Sequence, residues 1–160
     1  MCSQLYSQHK KYMRYLTLVI LFGVAFSLTG CGVLSLDDNP DRIQNLIEEN
    51  KEKWEQSGIK RYSFTYDRTA GGQVMEDVYV EVVSSEIDSV SVSGVERENI
   101  SQFLTVDDIY DVITDAFERD DRGGFQVEFN EEIGYPLRYR VGAGNSTPGE
   151  GIIVNNFNVN

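Results

Sequence analysis

RYSFTY, Arg61 to Tyr66, decides the fold: Tyr62, Phe64 and Tyr66 alternate with Arg61, Ser63 and Thr65. A period of two puts three aromatic rings on one face of a β-strand and three polar residues on the other. The same period recurs on both sides of short turns. Ala70-Gly71-Gly72 reverses the chain, and Val78, Val80 and Val82 then alternate with Asp77, Tyr79 and Glu81. A polar turn at Ser84 to Glu86 leads into a third run, Ile87 to Ser93, with Val90 and Val92 inward. Three alternating runs with short connections predict an antiparallel meander with one apolar face that needs a cover.

The cover is expected from two helices. Asn39-Pro40-Asp41 supplies an N-cap, a proline at the first helical position and an acid in the first turn. Ile43, Leu46, Ile47, Asn50 and Trp54 then form one stripe of a helix that ends near Gly58. The second helix starts at Thr105-Val106-Asp107-Asp108, a capping box with Asp in place of Glu, and buries Ile109, Val112, Ile113, Ala116 and Phe117. Period two returns at Phe125, Val127 and Phe129. After a loop at Asn130 to Gly134, Tyr135-Pro136 opens a strand with Leu137, Tyr139 and Val141 on one side and Arg138 and Arg140 on the other. Ala143 to Gly151 reads as a loop, and Ile152 to Val159 as a weakly patterned last strand. The expected fold class is α+β: helix, three-strand meander, helix, three strands, with an antiparallel sheet of about six strands and both helices on one face.

The N-terminus carries an address. Lys10, Lys11 and Arg14 precede an uncharged apolar run that closes on Leu28-Thr29-Gly30-Cys31, the layout of a secretory signal with a small residue at the cut. Leu-Thr-Gly-Cys resembles the lipobox of bacterial lipoproteins. That resemblance implies cleavage between Gly30 and Cys31, a diacylated Cys31 thiol and an acylated new N-terminus. The competing reading is an uncleaved helix, since the uncharged stretch from Tyr15 to Leu36 is long enough to span a bilayer, which takes about 20 residues. Both readings leave the domain outside the cytoplasm, because the basic residues stay inside. Gly32, where an Asp would commonly hold a Gram-negative lipoprotein at the inner membrane, makes the outer membrane the default there. The expected organisation is a signal peptide at 1–30, a lipidated cysteine and tether at 31–39, and one domain at 40–160.

Without residues 1–30 the chain has 11 basic and 26 acidic residues, a formal charge of −15. That excess argues against nucleic acid as a partner, since phosphate binding draws on Lys and Arg. Cys2 and His9 leave with the signal and Cys31 takes lipid, so no thiol or imidazole remains. Disulfides, Ser/His and Cys/His triads, and His- or Cys-ligated metals are therefore excluded, and no cofactor, metal site or catalytic residue is expected. Asp37, Asn39, Asp41 and Glu48 fall at calcium-loop positions, but Arg42 stands where the loop needs glycine. Asp107, Asp111 and Asp115 stack on one helix face and read as a solvated acidic face near the positive helix end.

Trp54, Tyr62 to Tyr66, Thr105 to Asp111 and Gly134-Tyr135-Pro136 together resemble a family of small bacterial envelope proteins known as a domain of unknown function. Such members often carry a close cysteine pair after the first strand. Arg68 to Gly72 holds none here. The family offers no catalytic residue to carry over. The function expected is an envelope lipoprotein, joined to the membrane through lipid on Cys31, whose domain binds or scaffolds an envelope protein. The alternatives are a carboxylate-based glycan hydrolase, with Glu76, Glu81 and Glu128 meeting on the sheet, and a protein inhibitor. The partner contact is expected at Arg138, Tyr139, Arg140 and Tyr135, on a basic strand of an acidic domain.

Overall fold

Asn39 accepts a hydrogen bond from the Asp41 amide at 3.0 Å through its side chain, and Pro40 opens the first helix, α1, Pro40–Ser57. Gly58, at φ 64°, ends it in the left-handed conformation. The chain then forms β2 (Arg61–Ala70), β3 (Gln73–Val83) and β4 (Glu86–Val92). A second helix, α2 (Val106–Glu118), precedes β6 (Gln126–Phe129), β7 (Pro136–Val141) and β8 (Glu150–Val159). Two strands of two residues complete the sheet, β1 (Leu34–Ser35) and β5 (Val95–Glu96). This computed structural model describes residues 34–35, 39–119, 124–142 and 149–160. The segment read as a signal peptide, Cys31 and most of the segment read as a tether, including Asp37 of the calcium-loop pattern, lie outside the described residues.

All neighbours pair antiparallel in one sheet of order β1-β6-β7-β8-β2-β3-β4-β5. The α+β class holds, and the sheet is wider than the sequence suggests, with eight strands rather than about six. Both additions are edge strands too short to show a period. Leu34 pairs with Val127 and Ser35 with Gln126, so a two-residue strand lies within the segment 31–39 read as a tether.

The aromatic face of β2 is covered as its pattern requires. Tyr62, Phe64 and Tyr66 are at most 1% exposed, and their rings follow one another at 5.9 and 5.7 Å. Each ring contributes roughly 1.5–3 kcal/mol by burial. From α1, Trp54 meets Tyr62 edge-on at 5.2 Å; from α2, the Val106 amide donates to the Tyr62 hydroxyl at 3.1 Å. Trp54 also donates through Nε1 to Asp107 at 2.9 Å, tying the two helices together. The capping box at Thr105 and Asp108 is complete, with both reciprocal bonds present. Among the described residues no helix is long and apolar enough to cross a membrane.

β8 reaches the same face by a change of phase. Ile152 and Val154 are buried, and then the register on β2 slips: Thr65 faces Asn155, but Ser63 faces Asn158. The extra residue is a β-bulge at Asn156, whose φ is 48°. It turns Phe157 inward onto Tyr62, with centroids 5.5 Å apart.

Candidate functional site

The motifs that carry the family resemblance meet at one end of the sheet, where they lock the fold. Gly134 lies so close to α1 that a Cβ there would stand 2.3 Å from the Asn50 carbonyl oxygen. The Tyr110 hydroxyl of α2 donates to the Gly134 carbonyl, and Tyr135 stacks on Phe157 with centroids 4.1 Å apart. Burial, with Asp107 and Asp108 nearby, pushes the Tyr62 hydroxyl up to about 12 despite the Val106 hydrogen bond. Burial first, then Asp107 and Glu55, raises the Tyr110 hydroxyl as well. Both phenols stay protonated and serve as fixed hydrogen-bonding groups.

The opposite end of the sheet carries two cavities, one on each face, that share Thr69, Tyr139 and the start of β8 at Glu150, Gly151 and Ile152. The larger, of ≈ 600 Å³, lies on the helix side between Arg68 of β2 and Asp115, Glu118 and Arg119 at the end of α2. Its wall is built around Glu150. Arg119 grips both carboxylate oxygens, with Nη1 to Oε2 at 3.1 Å and Nη2 to Oε1, and the Tyr139 hydroxyl donates to Oε1 at 2.5 Å. The Arg119 hydrogen bonds hold the Glu150 carboxyl below its usual range against the opposing effect of partial burial, with help from Tyr139 and the Arg68 charge. Burial, then Glu150 itself, raises the Tyr139 hydroxyl. The two groups form a carboxylate fixed as an anion and a phenol fixed as neutral. A Cβ on Gly151 would come within 2.7 Å of the Tyr139 carbonyl oxygen, so glycine is what lets β8 close against β7 here.

The smaller cavity, of ≈ 390 Å³, opens on the outer face and is lined by Gln126, Arg138, Arg140, Asp67 and Ile153. Arg138 and Arg140 are exposed on that face, as their parity predicts. Arg138 is exposed and stands 3.6 Å from the half-buried Glu128, a partly solvated pair of small energetic weight, and Arg140 faces Gln126 across the ladder. Ile153 keeps 41% of its surface exposed between them and β2. Tyr139 corrects the expected contact set. It is 1% exposed and points to the helix side, because a residue between two outward arginines must face inward. Tyr135 is half-buried against Phe157 at the other end of the strand. The structure thus gathers Arg138 and Arg140 at one accessible site and takes Tyr139 and Tyr135 into the packing.

The other candidates disperse. In the strand order, Glu128 on β6 and Glu81 on β3 are four spacings apart, about 19 Å at about 4.8 Å each. Glycosidase carboxylates lie about 5–9.5 Å apart. Within the acidic helix face, Asp107 accepts from Trp54, Asp111 pairs with Lys51 at 3.5 Å and Asp115 borders the larger cavity. Among the described residues no three His, Cys, Asp or Glu side chains group so as to hold a metal ion.

A family model described as a family of unknown function, DUF6174, matches residues 46–160, and the chain belongs to that family. No curated protein and no solved structure matches it.

Proposed function

We propose that this DUF6174 member is a bacterial envelope lipoprotein, anchored through lipid on Cys31, whose domain binds an envelope protein through the outer sheet face around Arg138 and Arg140. The observation that carries the binding reading is the outer cavity itself. Two exposed guanidinium groups flank a groove floored partly by Ile153, in a domain that carries a charge of −15 without its signal segment. Arginines beside an exposed aliphatic side chain suit a partner that offers carboxylates around an apolar contact.

The shifts at the larger cavity support binding over acid–base chemistry. A general acid or base works best with a pKa near the ambient pH. Glu150 and Tyr139 are moved the other way, one below the usual carboxylate range and one above the usual phenol. The dispersal of Glu81 and Glu128 likewise removes support from the hydrolase reading.

The test is crosslinking in intact cells followed by purification of the anchored protein. The Arg138→Glu, Arg140→Glu double variant should keep the wild-type melting temperature within a few degrees, since both side chains are exposed, and should lose the crosslinked species. A double variant that retains that species at wild-type yield would place the contact elsewhere.

A further inference from the structure

The paired strand β1 limits how far Cys31 can lie from the sheet. Leu34 is hydrogen-bonded into the sheet opposite Val127, only three peptide steps after Cys31. At about 3.8 Å per step, the lipid-bearing residue reaches at most about 11 Å from Leu34. An unpaired tether running to Asn39 would allow about 28 Å. β1 runs antiparallel to β6, so its N-terminal end points toward Phe129 and the turn at Asn130 to Gly134. That turn is firmly built: the Asn130 side chain accepts from the Glu132 and Ile133 amides at 3.1 and 2.9 Å, and the Gly134 amide donates to the Asn130 carbonyl.

We propose that the anchored domain stands with its β1–β6 edge and the Asn130–Gly134 turn against the bilayer, and presents both cavities on the side away from it. This rests on the reading of Cys31 as the lipidated residue. Arg140 lies four residues along β7 from Pro136, about 14 Å at about 3.4 Å per residue. The β2–β3 hairpin rises at the same far end, since Thr69 pairs with Gly151. The opposite edge, β5, is seven strand spacings from β1, about 34 Å at about 4.8 Å each. At the near turn the exposed acids Glu131 and Glu132 outnumber the one exposed lysine beside Gly134, Lys53, so the covalent tether rather than headgroup attraction sets the orientation. The ligand of the cavities is then a water-borne or wall-borne partner approaching from the aqueous side.

Because the mature chain has no thiol besides Cys31, single cysteines introduced as Glu131→Cys, Gln73→Cys and Val95→Cys can each carry one fluorophore. All three positions are exposed, so folding is undisturbed. The lipidated mature protein is reconstituted in phosphatidylcholine vesicles containing a headgroup spin label, and quenching is read at each site. The label at 131 should be quenched at least threefold more than the label at 73, with the label at 95 close to the vesicle-free signal. Equal quenching at 131 and 73, or the reverse order, overturns the orientation. Fatty-acid labelling of the same preparations keeps the two ideas apart. Label present with equal quenching removes the orientation alone; label that is absent, or unchanged in Cys31→Ser, removes the anchor and the orientation together.

Discussion

At Gly134 two constraints fall on one atom. Its φ of 83° lies where an L side chain is strained, and an added Cβ would meet the Asn50 carbonyl oxygen at 2.3 Å and the Trp54 amide nitrogen at 3.1 Å. Helix backbone cannot yield as a side chain can, so Gly134→Ala must move α1 or the turn. Strain and overpacking together should lower stability by about 3 kcal/mol or more. Gly58→Ala is the control, because Gly58 has a similar φ of 64° but nothing within 4 Å of the added atom. It should cost only about 1 kcal/mol. Urea unfolding of both variants measures the difference, and a Gly134→Ala cost no larger than that of Gly58→Ala would refute the close approach. The same glycine explains why the Gly-Tyr-Pro motif belongs to the fold: Gly134 admits α1, Tyr135 packs on Phe157, and Pro136 is buried where β7 begins.

Elements with an unbroken period could be read from the chain, and those whose period shifts could not. Both helix starts appear at the expected caps, and the aromatic and valine faces of β2 and β3 point inward as their alternation requires. β8 looked weakly patterned because Ile152 and Val154 keep one phase and Phe157 the other, with the bulge at Asn156 between them. The site suffered from distance in sequence. Tyr139, Glu150 and Arg119 belong to β7, β8 and the end of α2, and Glu150 fell in a stretch rich in Gly, Asn and Ser that reads as a loop. Nothing local announces a contact made by three elements. The bulge is testable because Asn tolerates a positive φ and a β-branched residue does not. Asn156→Val should cost about 1–2 kcal/mol, while Asn156→Gly should stay within about 0.5 kcal/mol of wild type. Equal stability of the two in urea melts would mean that the left-handed bulge is not what brings Phe157 to the core.

Across the whole molecule, charge and packing respond to acid in opposite directions, and Glu150 is where they can be separated. Residues 31–160 hold 26 acids against 11 bases, so mild protonation relieves self-repulsion and by itself favours the folded state. Glu150 works against that trend. Its folded-state pKa is held below the ordinary 4.5 by the Arg119 hydrogen bonds, so its contribution is fully present above that value and is lost as the pH falls through the folded pKa. The side chain is 29% exposed and Arg119 is 49% exposed, which screens the pair. Replacing the carboxylate in Glu150→Gln should cost about 1–2 kcal/mol at pH 7. The global relief of repulsion is nearly common to both proteins and cancels in their difference. That difference should be flat between about pH 6 and 8 and should shrink as the pH drops below the ordinary carboxyl value. Urea melts of the pair at about pH 7, 5 and 3.5 measure it. A gap that stays constant to the lowest pH would mean that the side chain acts by shape and hydrogen bonding alone, and the ionised link from α2 to β8 would have to be given up as the element that holds the wall between the two cavities.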